Sequence, residues 1–136
     1  MYKAVHRETG QIRAIKKIYK NKVDSAKTVI TEIESLVKLD HPNLVKLIEY
    51  YETKSKIFLV QEFLQGEELY TRLERVQQLD EGYARKLFYQ ILDAINFIHK
   101  HMISHRDIKA ENFVFEDENS DNLKLIDFGL SSPFIP

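Results

Sequence analysis

Two motifs within residues 105–129 decide the fold. Residues 105–112 read HRDIKAEN, and residues 127–129 read DFG, starting fifteen positions after Asn112. Between these motifs lie two short apolar runs, 113–115 and 123–126, on either side of an acidic loop. Short apolar runs around a polar turn are typical of a β-hairpin. The sequence therefore predicts that both motifs lie around one hairpin.

Four side chains around that hairpin form a chemically consistent set. Asp107 is a candidate base and Lys109 a candidate cation. Asn112 and Asp127 carry oxygen atoms of the kind that Mg²⁺ prefers as ligands. Phosphoryl transfer needs this assortment, because a metal neutralises charge, a carboxylate faces the attacking hydroxyl and a lysine lies near the moving phosphate.

HRDIKAEN resembles the catalytic loop of protein kinases, and DFG resembles their metal-binding motif. The resemblance implies transfer of the ATP γ-phosphate to a protein hydroxyl. Asp107 would accept or orient the hydroxyl proton, and Lys109 would stabilise the transferring phosphoryl group. Asn112 and Asp127 would hold Mg²⁺.

Lys109, two residues after Asp107, resembles the serine/threonine class, so Ser and Thr are the expected acceptors. Within that class, HRDIKAENFVF followed by DNLKLIDFGLS most resembles the calcium/calmodulin-dependent and calcium-dependent protein kinases. Ala110 departs from the commoner proline, which loosens the loop slightly through backbone entropy but changes no reacting group. The regulator, and any dependence on calcium, is left open.

Upstream motifs follow in the order that the family shows. Residues 14–16, Ala-Ile-Lys, resemble the A-x-K of the third kinase strand, which makes Lys16 the expected ligand of the α- and β-phosphates. EIESLVKLDHPN, residues 32–43, resembles the segment from the kinase helix to its HPN turn. Glu32 is the expected ion-pair partner, because it lies on the inward face of the predicted helix; Glu34 is the alternative. Solvated charges are the plain structural interpretation of both side chains.

IFLVQEFLQGEEL resembles the strand and hinge that hold adenine through backbone groups. This resemblance places Gln61 at the position that controls the rear pocket, and Glu62 and Leu64 at the hinge hydrogen bonds. Ala14 would cap the adenine, and Val114 would lie below it. Ordinary core positions are the alternative, and both can hold together because an adenine slot is a gap in a core.

Two glutamates are candidates for substrate recognition. In the kinases that the chain resembles, carboxylates at the positions of Glu68 and Glu111 face the peptide groove and favour arginine before the phosphoacceptor. A guanidinium offers a planar fork of donors that two carboxylates can engage. The alternative is that Glu67 and Glu68 are solvated charges on the first turn of a helix, favoured there by its dipole.

A further set of residues matches positions that stack from one lobe to the other in active kinases. These residues are Leu36, Leu47, His105 and Phe128. The sequence favours a packing and hydrogen-bonding role for His105 over a role as proton shuttle or metal ligand.

Hydrophobic periodicity predicts seven elements in the order strand, strand, helix, strand, strand, helix, helix, before the final hairpin. Their predicted ranges are Met1–Arg7, Gln11–Ile18, Ser25–Leu39, Leu44–Tyr51, Ile57–Phe63, Glu67–Arg75 and Asp80–His101. Gly10 supplies the turn between the first two strands, and Asp80 is the expected N-cap of the last helix. One continuous apolar face is predicted on that helix from Leu87, Phe88, Ile91, Leu92, Ile95 and Ile98.

Composition limits the classes of function. Of the 136 residues, 43% are hydrophobic and the formal net charge is −1, so a packed core is expected and a nucleic-acid partner is not. The absence of cysteine excludes disulfides and thiolate metal sites. We expect no membrane-spanning segment, no signal peptide and a cytoplasmic or nuclear location.

These observations predict an α+β, protein-kinase-like, two-lobed fold that is incomplete. Residues 1–63 would form a partial small lobe, an antiparallel sheet plus one helix, with a hinge at about 62–66. Residues 64–136 would form a partial, mainly helical large lobe that ends just after DFG. The glycine-rich loop is expected before Met1 and the activation segment after Gly129, so the resemblance implies a truncated domain.

The implied cofactors are ATP and Mg²⁺, and the implied partner is a protein substrate containing Ser or Thr. Two alternatives stay open. One is a catalytically inactive truncated kinase that binds nucleotide or protein, and the other is a non-functional gene fragment. Negligible activity of the chain alone is expected, because without the activation segment no platform aligns a peptide hydroxyl. Alignment of the reacting groups can lower the barrier by about 7–11 kcal/mol.

Overall fold

The computed structural model describes residues 1–22, 30, 33–34, 36–76, 78–127 and 132–133. The chain forms two compact units, one of Met1–Asp40 with Lys46–Phe63 and one of His41–Val45 with Leu64–Pro136. Residues 41–45 belong to the second unit because Val45 N donates to Leu125 O and Leu125 N donates to Asn43 O, both at 2.9 Å. The lobe limits 1–63 and 64–136 stay a prediction, from which the compact units differ at these five residues.

The first unit is built on a four-stranded antiparallel sheet in the order β1-β2-β4-β3. Its strands are β1 (Tyr2–Val5), β2 (Ile12–Tyr19), β3 (Leu47–Glu52) and β4 (Lys56–Glu62). The predicted turn between β1 and β2 is confirmed: Gly10 has φ +69°, and its N–H donates to His6 O at 2.9 Å. Glycine occupies this left-handed conformation without steric cost.

One face of that sheet is buried, because side chains alternate between the two faces of a strand. Ala14 lies opposite Gln61, which lies opposite Leu47 on the other neighbouring strand, and all three are buried. Residues 30, 33–34 and 36–37 are helical, within the helix predicted over Ser25–Leu39. A short 3₁₀ helix spans Lys20–Lys22.

The second unit contains two α-helices, α1 (Leu69–Val76) and α2 (Glu81–Lys100). The prediction for α2 is confirmed to within a residue at each end. Asp80 is its N-cap, and its carboxylate accepts from Tyr83 N at 3.1 Å. This contact satisfies one of the backbone donors that a helix start leaves free.

The predicted apolar face of α2 is buried only in part. Leu87, Ala94 and Ile98 are buried, whereas Phe88 is 59% exposed and Leu92 is 51% exposed. Spacings of seven and four residues keep the three buried positions on one stripe, and a single step along the helix turns a side chain by about 100°. Phe88 and Leu92 therefore lie beside the buried stripe.

The predicted hairpin is confirmed as β6 (Phe113–Phe115) and β7 (Leu123–Leu125), with Val114 opposite Lys124. A short pair that the sequence did not predict joins β5 (Ile103–Ser104) to β8 (Ser132–Pro133). A 3₁₀ turn over Ala110–Asn112 leads directly into β6. No helix within the described ranges is long and apolar enough to cross a membrane.

Candidate active site

The Asp107 carboxylate is held from two sides. Lys109 Nζ lies 2.9 Å from its Oδ2 atom, and Asn112 Nδ2 donates to the same oxygen at 2.9 Å and to Asp107 O at 2.7 Å. The ion pair with Lys109, followed by the hydrogen bond from Asn112, holds the pKa of Asp107 below its ordinary value. Asp107 is therefore ionised at neutral pH and can accept a hydrogen bond from a hydroxyl group.

His105 is only 1% exposed, and its ring holds the loop of residues 105–112 in place. Asp107 N donates to His105 Nδ1 at 3.3 Å, so Nε2 carries the proton and donates to Ile126 O at 2.9 Å. The packing and hydrogen-bonding role predicted for this histidine is confirmed. Ile126 N in turn donates to Asn112 O at 2.8 Å, which places Asp127 next to the catalytic-loop turn.

Two residues of the site have left-handed backbone conformations. Arg106 has φ +65° and Asp127 has φ +58°. Such conformations of non-glycine residues cost on the order of 1 kcal/mol and cluster at functional sites. Motif spacing contains no signal that would have predicted them.

Asn112 and Asp127 carry oxygen atoms of the kind that suits a magnesium ion. Asn112 Nδ2 donates to Asp107, so the amide oxygen of Asn112 is directed away from Asp107. The charge of Asp127 contributes to a raised pKa of Lys109, after the larger effect of Asp107. Within the part of the chain that the structure describes, no three His, Asp or Glu side chains form a metal cluster. Mg²⁺ commonly takes one or two protein ligands and shares the rest with phosphates and water.

Nucleotide-binding candidates of the first unit lie on β2 and β4. Lys16 is opposite Leu59, and the buried Ala14 is opposite Gln61. Glu62 N donates to Lys46 O at 3.0 Å, and Glu62 Oε1 accepts from Lys46 N at 2.8 Å.

Glu32 lies outside the described residues, so its ion pair with Lys16 stays a prediction. Glu34, the alternative partner, accepts a hydrogen bond from Tyr50 Oη at 3.0 Å. Phe128 and Gly129 also lie outside the described residues. The predicted stack is therefore described only by the burial of Leu36, Leu47 and His105.

In the second unit, residues 65–68 run antiparallel to β6. Gln65 N donates to Glu116 O at 3.0 Å, Gly66 N donates to Phe115 O at 3.2 Å, and Glu68 forms a bridge with Val114. A Cβ atom on Gly66 would lie 2.5 Å from Phe115 O, so only glycine fits here without displacing the strand. The segment after Leu64 is thereby fixed to the strand that follows the catalytic loop.

Glu67 is not the solvated charge that the sequence allowed. Its Oε1 accepts from Arg75 Nη2 at 2.5 Å and from Arg72 Nε at 2.8 Å, and these contacts lower the pKa of Glu67. Sequence reasoning missed Arg72 entirely. The signal was weak, because a glutamate five residues before an arginine matches neither the i,i+3 nor the i,i+4 pairing rule.

Comparison with known proteins decides the family. A family model described as protein kinase domain matches residues 1–135. The chain belongs to the protein kinase domain family.

Relatives of this kinase chain include calcium-dependent protein kinases, a group that the sequence predicted, and sperm motility kinases. It is 40% identical over 133 residues to sperm motility kinase 3A of Mus musculus, covering 98% of this chain and 26% of that protein. It is 39% identical over 131 residues to calcium-dependent protein kinase 5 of Plasmodium falciparum, covering 96% and 23%. The chain thus spans about a quarter of the length of these relatives.

The fold is shown by a solved structure of Rad53 1–466 in complex with AMP-PNP. The match has a TM-score of 0.85 and 39% identity, and it covers 94% of this kinase chain and 34% of that one. The predicted α+β protein-kinase fold is confirmed. The individual roles of the site residues stay predictions.

Proposed function

We propose that this kinase chain binds ATP with Mg²⁺ and supplies the catalytic groups for transfer of the γ-phosphate to a Ser or Thr hydroxyl. One observation carries the proposal: the Asp107 carboxylate is held by both Lys109 and Asn112 through a single oxygen. Its second oxygen can then accept from an incoming hydroxyl.

Each catalytic-loop residue has a distinct task in this proposal. Asp107 orients the hydroxyl and accepts its proton, while Lys109 balances negative charge that develops on the moving phosphoryl group. His105 and the backbone of Ile126 keep the loop in place. When bound by Asn112 and Asp127, Mg²⁺ neutralises phosphate charge.

Nucleotide binding is assigned to residues of both units. Lys16, paired with Glu32, would hold the α- and β-phosphates. From the family resemblance, Ala14 and Val114 would each contact the adenine ring, and backbone groups of Glu62 and Leu64 would bond to it. Support comes from the family match and, for the fold, from the likeness to Rad53, which was solved with AMP-PNP.

For the protein substrate we propose an arginine a few residues before the phosphoacceptor, bound by Glu68 and Glu111. The bridge from Glu68 to Val114 supports this proposal, because β6 begins directly after Glu111 and Asn112. A cytoplasmic or nuclear location is also proposed.

Calorimetric titration with AMP-PNP, with and without Mg²⁺, tests the nucleotide and metal assignments. We expect magnesium to tighten binding to the wild type, and Asp127→Asn and Asn112→Ala each to reduce this gain, because each variant removes or neutralises a proposed oxygen ligand. Binding that is indifferent to Mg²⁺ would overturn the metal assignment. Mg²⁺-dependent binding without phosphate transfer to any Ser or Thr peptide would favour the alternative of a nucleotide-binding module.

A further inference from the structure

Arg72 on α1 is enclosed by the second unit, with 12% of its side chain exposed. Its Nε donates to Glu67 Oε1 at 2.8 Å, and its Nη1 donates to Tyr83 Oη at 2.9 Å. Its guanidinium carbon lies 3.5 Å from the centre of the Phe115 ring. A planar guanidinium can make fork-like hydrogen bonds and stack on an aromatic ring at once, so these contacts fix its position.

The same residue is bonded to the segment that carries Glu68. Arg72 N donates to Glu68 O at 3.1 Å, and the carboxylate that Arg72 binds belongs to the neighbouring Glu67. Glu67 O accepts from Phe115 N at 3.0 Å. Arg72 therefore connects the Glu68 segment to β6 through its backbone and its side chain.

Glu111 lies at the start of that strand. The 3₁₀ turn Ala110–Asn112 continues directly into β6, and α1 packs against this turn. On α1, a hydrogen bond to Glu74 raises the pKa of Tyr70, and the charge of Glu111 raises it further. Arg72 thus lies in the helix that follows Glu68 and packs against the turn that carries Glu111.

We propose that Arg72 is a positioning residue for substrate recognition, holding Glu68 and Glu111 at the spacing at which both carboxylates engage one substrate arginine. This inference rests on the arginine preference proposed above. Two carboxylates repel each other when no cation lies between them, so a framework must hold them together before the substrate arrives. Preorganisation of this kind increases affinity by lowering the entropy lost on binding.

Arg75 provides a matched control. It binds the same Glu67 carboxylate at 2.5 Å, but its side chain is 63% exposed and lies nearly one turn further along α1. Arg75→Met therefore removes an ion pair to Glu67 while leaving the guanidinium stack on Phe115. If Glu67 acts only through its charge, the Arg72 and Arg75 variants should change the spacing of Glu68 and Glu111 to a similar extent. If Arg72 positions these residues, only the Arg72 variant should change their spacing.

The first experiment measures the spacing directly and needs no activity. Because the chain has no cysteine, Glu68→Cys/Glu111→Cys accepts two nitroxide labels at defined places. We expect the dipolar distance distribution to broaden in Arg72→Met and to keep its wild-type width in Arg75→Met. If circular dichroism shows that Arg72→Met does not fold, the same measurement is made on Arg72→Lys. Lysine keeps the positive charge but lacks the planar set of guanidinium donors. An unchanged distribution in the folded Arg72 variant would overturn the inference.

The second experiment measures recognition in chains with both glutamates intact. Two serine peptides that differ only in arginine or leucine three residues before the serine are titrated against each variant. We expect the ratio of their affinities to fall about fivefold or more in the Arg72 variant and to change less than about twofold in Arg75→Met.

The outcomes separate the two proposals. A wild type without arginine preference, or one whose preference survives Glu68→Ala and Glu111→Ala, overturns the proposed carboxylate site itself. A preference that depends on these glutamates but persists in folded Arg72 variants overturns only the positioning role of Arg72.

Discussion

Lys109 Nζ lies 2.9 Å from Asp107 Oδ2, so the candidate base and the candidate phosphate-stabilising cation form an ion pair. The pair lowers the pKa of Asp107 and raises the pKa of Lys109. Both groups are therefore charged over the whole neutral range.

Replacement of Asp107 by asparagine keeps the size of the side chain and removes its charge. In any form of the protein with measurable phosphate transfer, we expect Asp107→Asn to lower the rate about 10²–10⁴-fold. Nucleotide affinity should stay within about twofold, because the change removes no proposed contact with ATP. Full activity of this variant, measured with radiolabelled ATP, would show that Asp107 is not the base.

The ion pair predicted between Lys16 and Glu32 can be tested by a double-mutant cycle. We expect Lys16→Met and Glu32→Gln each to weaken AMP-PNP binding, with a coupling energy of about 0.5–3 kcal/mol. Glu34→Gln is the matched control, because Glu34 accepts from Tyr50 Oη. Coupling of Lys16 to Glu34 instead of Glu32 would reverse the assignment.

Gly66 offers a test of the close approach to β6. A methyl group at this position would lie 2.5 Å from Phe115 O and 2.6 Å from Phe115 Cβ, so Gly66→Ala must displace the strand. We expect a loss of about 1–3 kcal/mol in the free energy of unfolding, measured by urea titration.

Gly10→Ala is a useful comparison for that measurement. No atom lies within 4 Å of a Cβ built on Gly10, but its φ of +69° disfavours alanine. Conformational strain alone predicts a smaller loss of about 1 kcal/mol. If Gly66→Ala proved no more damaging than Gly10→Ala, the packing described at Phe115 would be wrong.

The free energy of unfolding should fall at acidic pH because the Glu67 carboxylate becomes protonated. Hydrogen bonds from Arg75 and then Arg72 lower the pKa of Glu67 in the folded chain. Its stabilising contribution is therefore complete above the unfolded-state pKa of about 4.3 and is lost as the pH falls through the lower folded value. Urea midpoints measured across this window should decline more steeply for the wild type than for Glu67→Gln. Parallel curves would contradict the ion-pair description.

Much of the fold could be predicted from sequence because its signals are local. Gly10 marks a turn, Asp80 caps a helix, and the apolar runs on either side of residues 116–122 form the expected hairpin. The exposed Phe88 shows the limit of such reasoning. Adjacent apolar residues on a helix give a wide stripe, and only tertiary packing decides which part of it is buried.

The candidate site also has contacts that the sequence predicts and contacts that it does not. Motif spacing predicted the grouping of Asp107, Lys109 and Asn112, because these residues share one short loop. It could not predict the contacts of Arg72 with Tyr83 and Phe115, which join segments distant in sequence. Contacts of this kind depend on how helices pack, which no local pattern encodes.

The left-handed backbone at Asp127 restricts which residues this position can accept. At φ +58°, glycine, asparagine and aspartate are the residues tolerated best, since most other side chains clash with their own backbone. Of these three, only aspartate brings a negative charge. Glutamate, the usual conservative replacement, would keep the charge but meet the backbone penalty. The conformation therefore favours three residue types at this position, and the need for a negative charge selects aspartate among them.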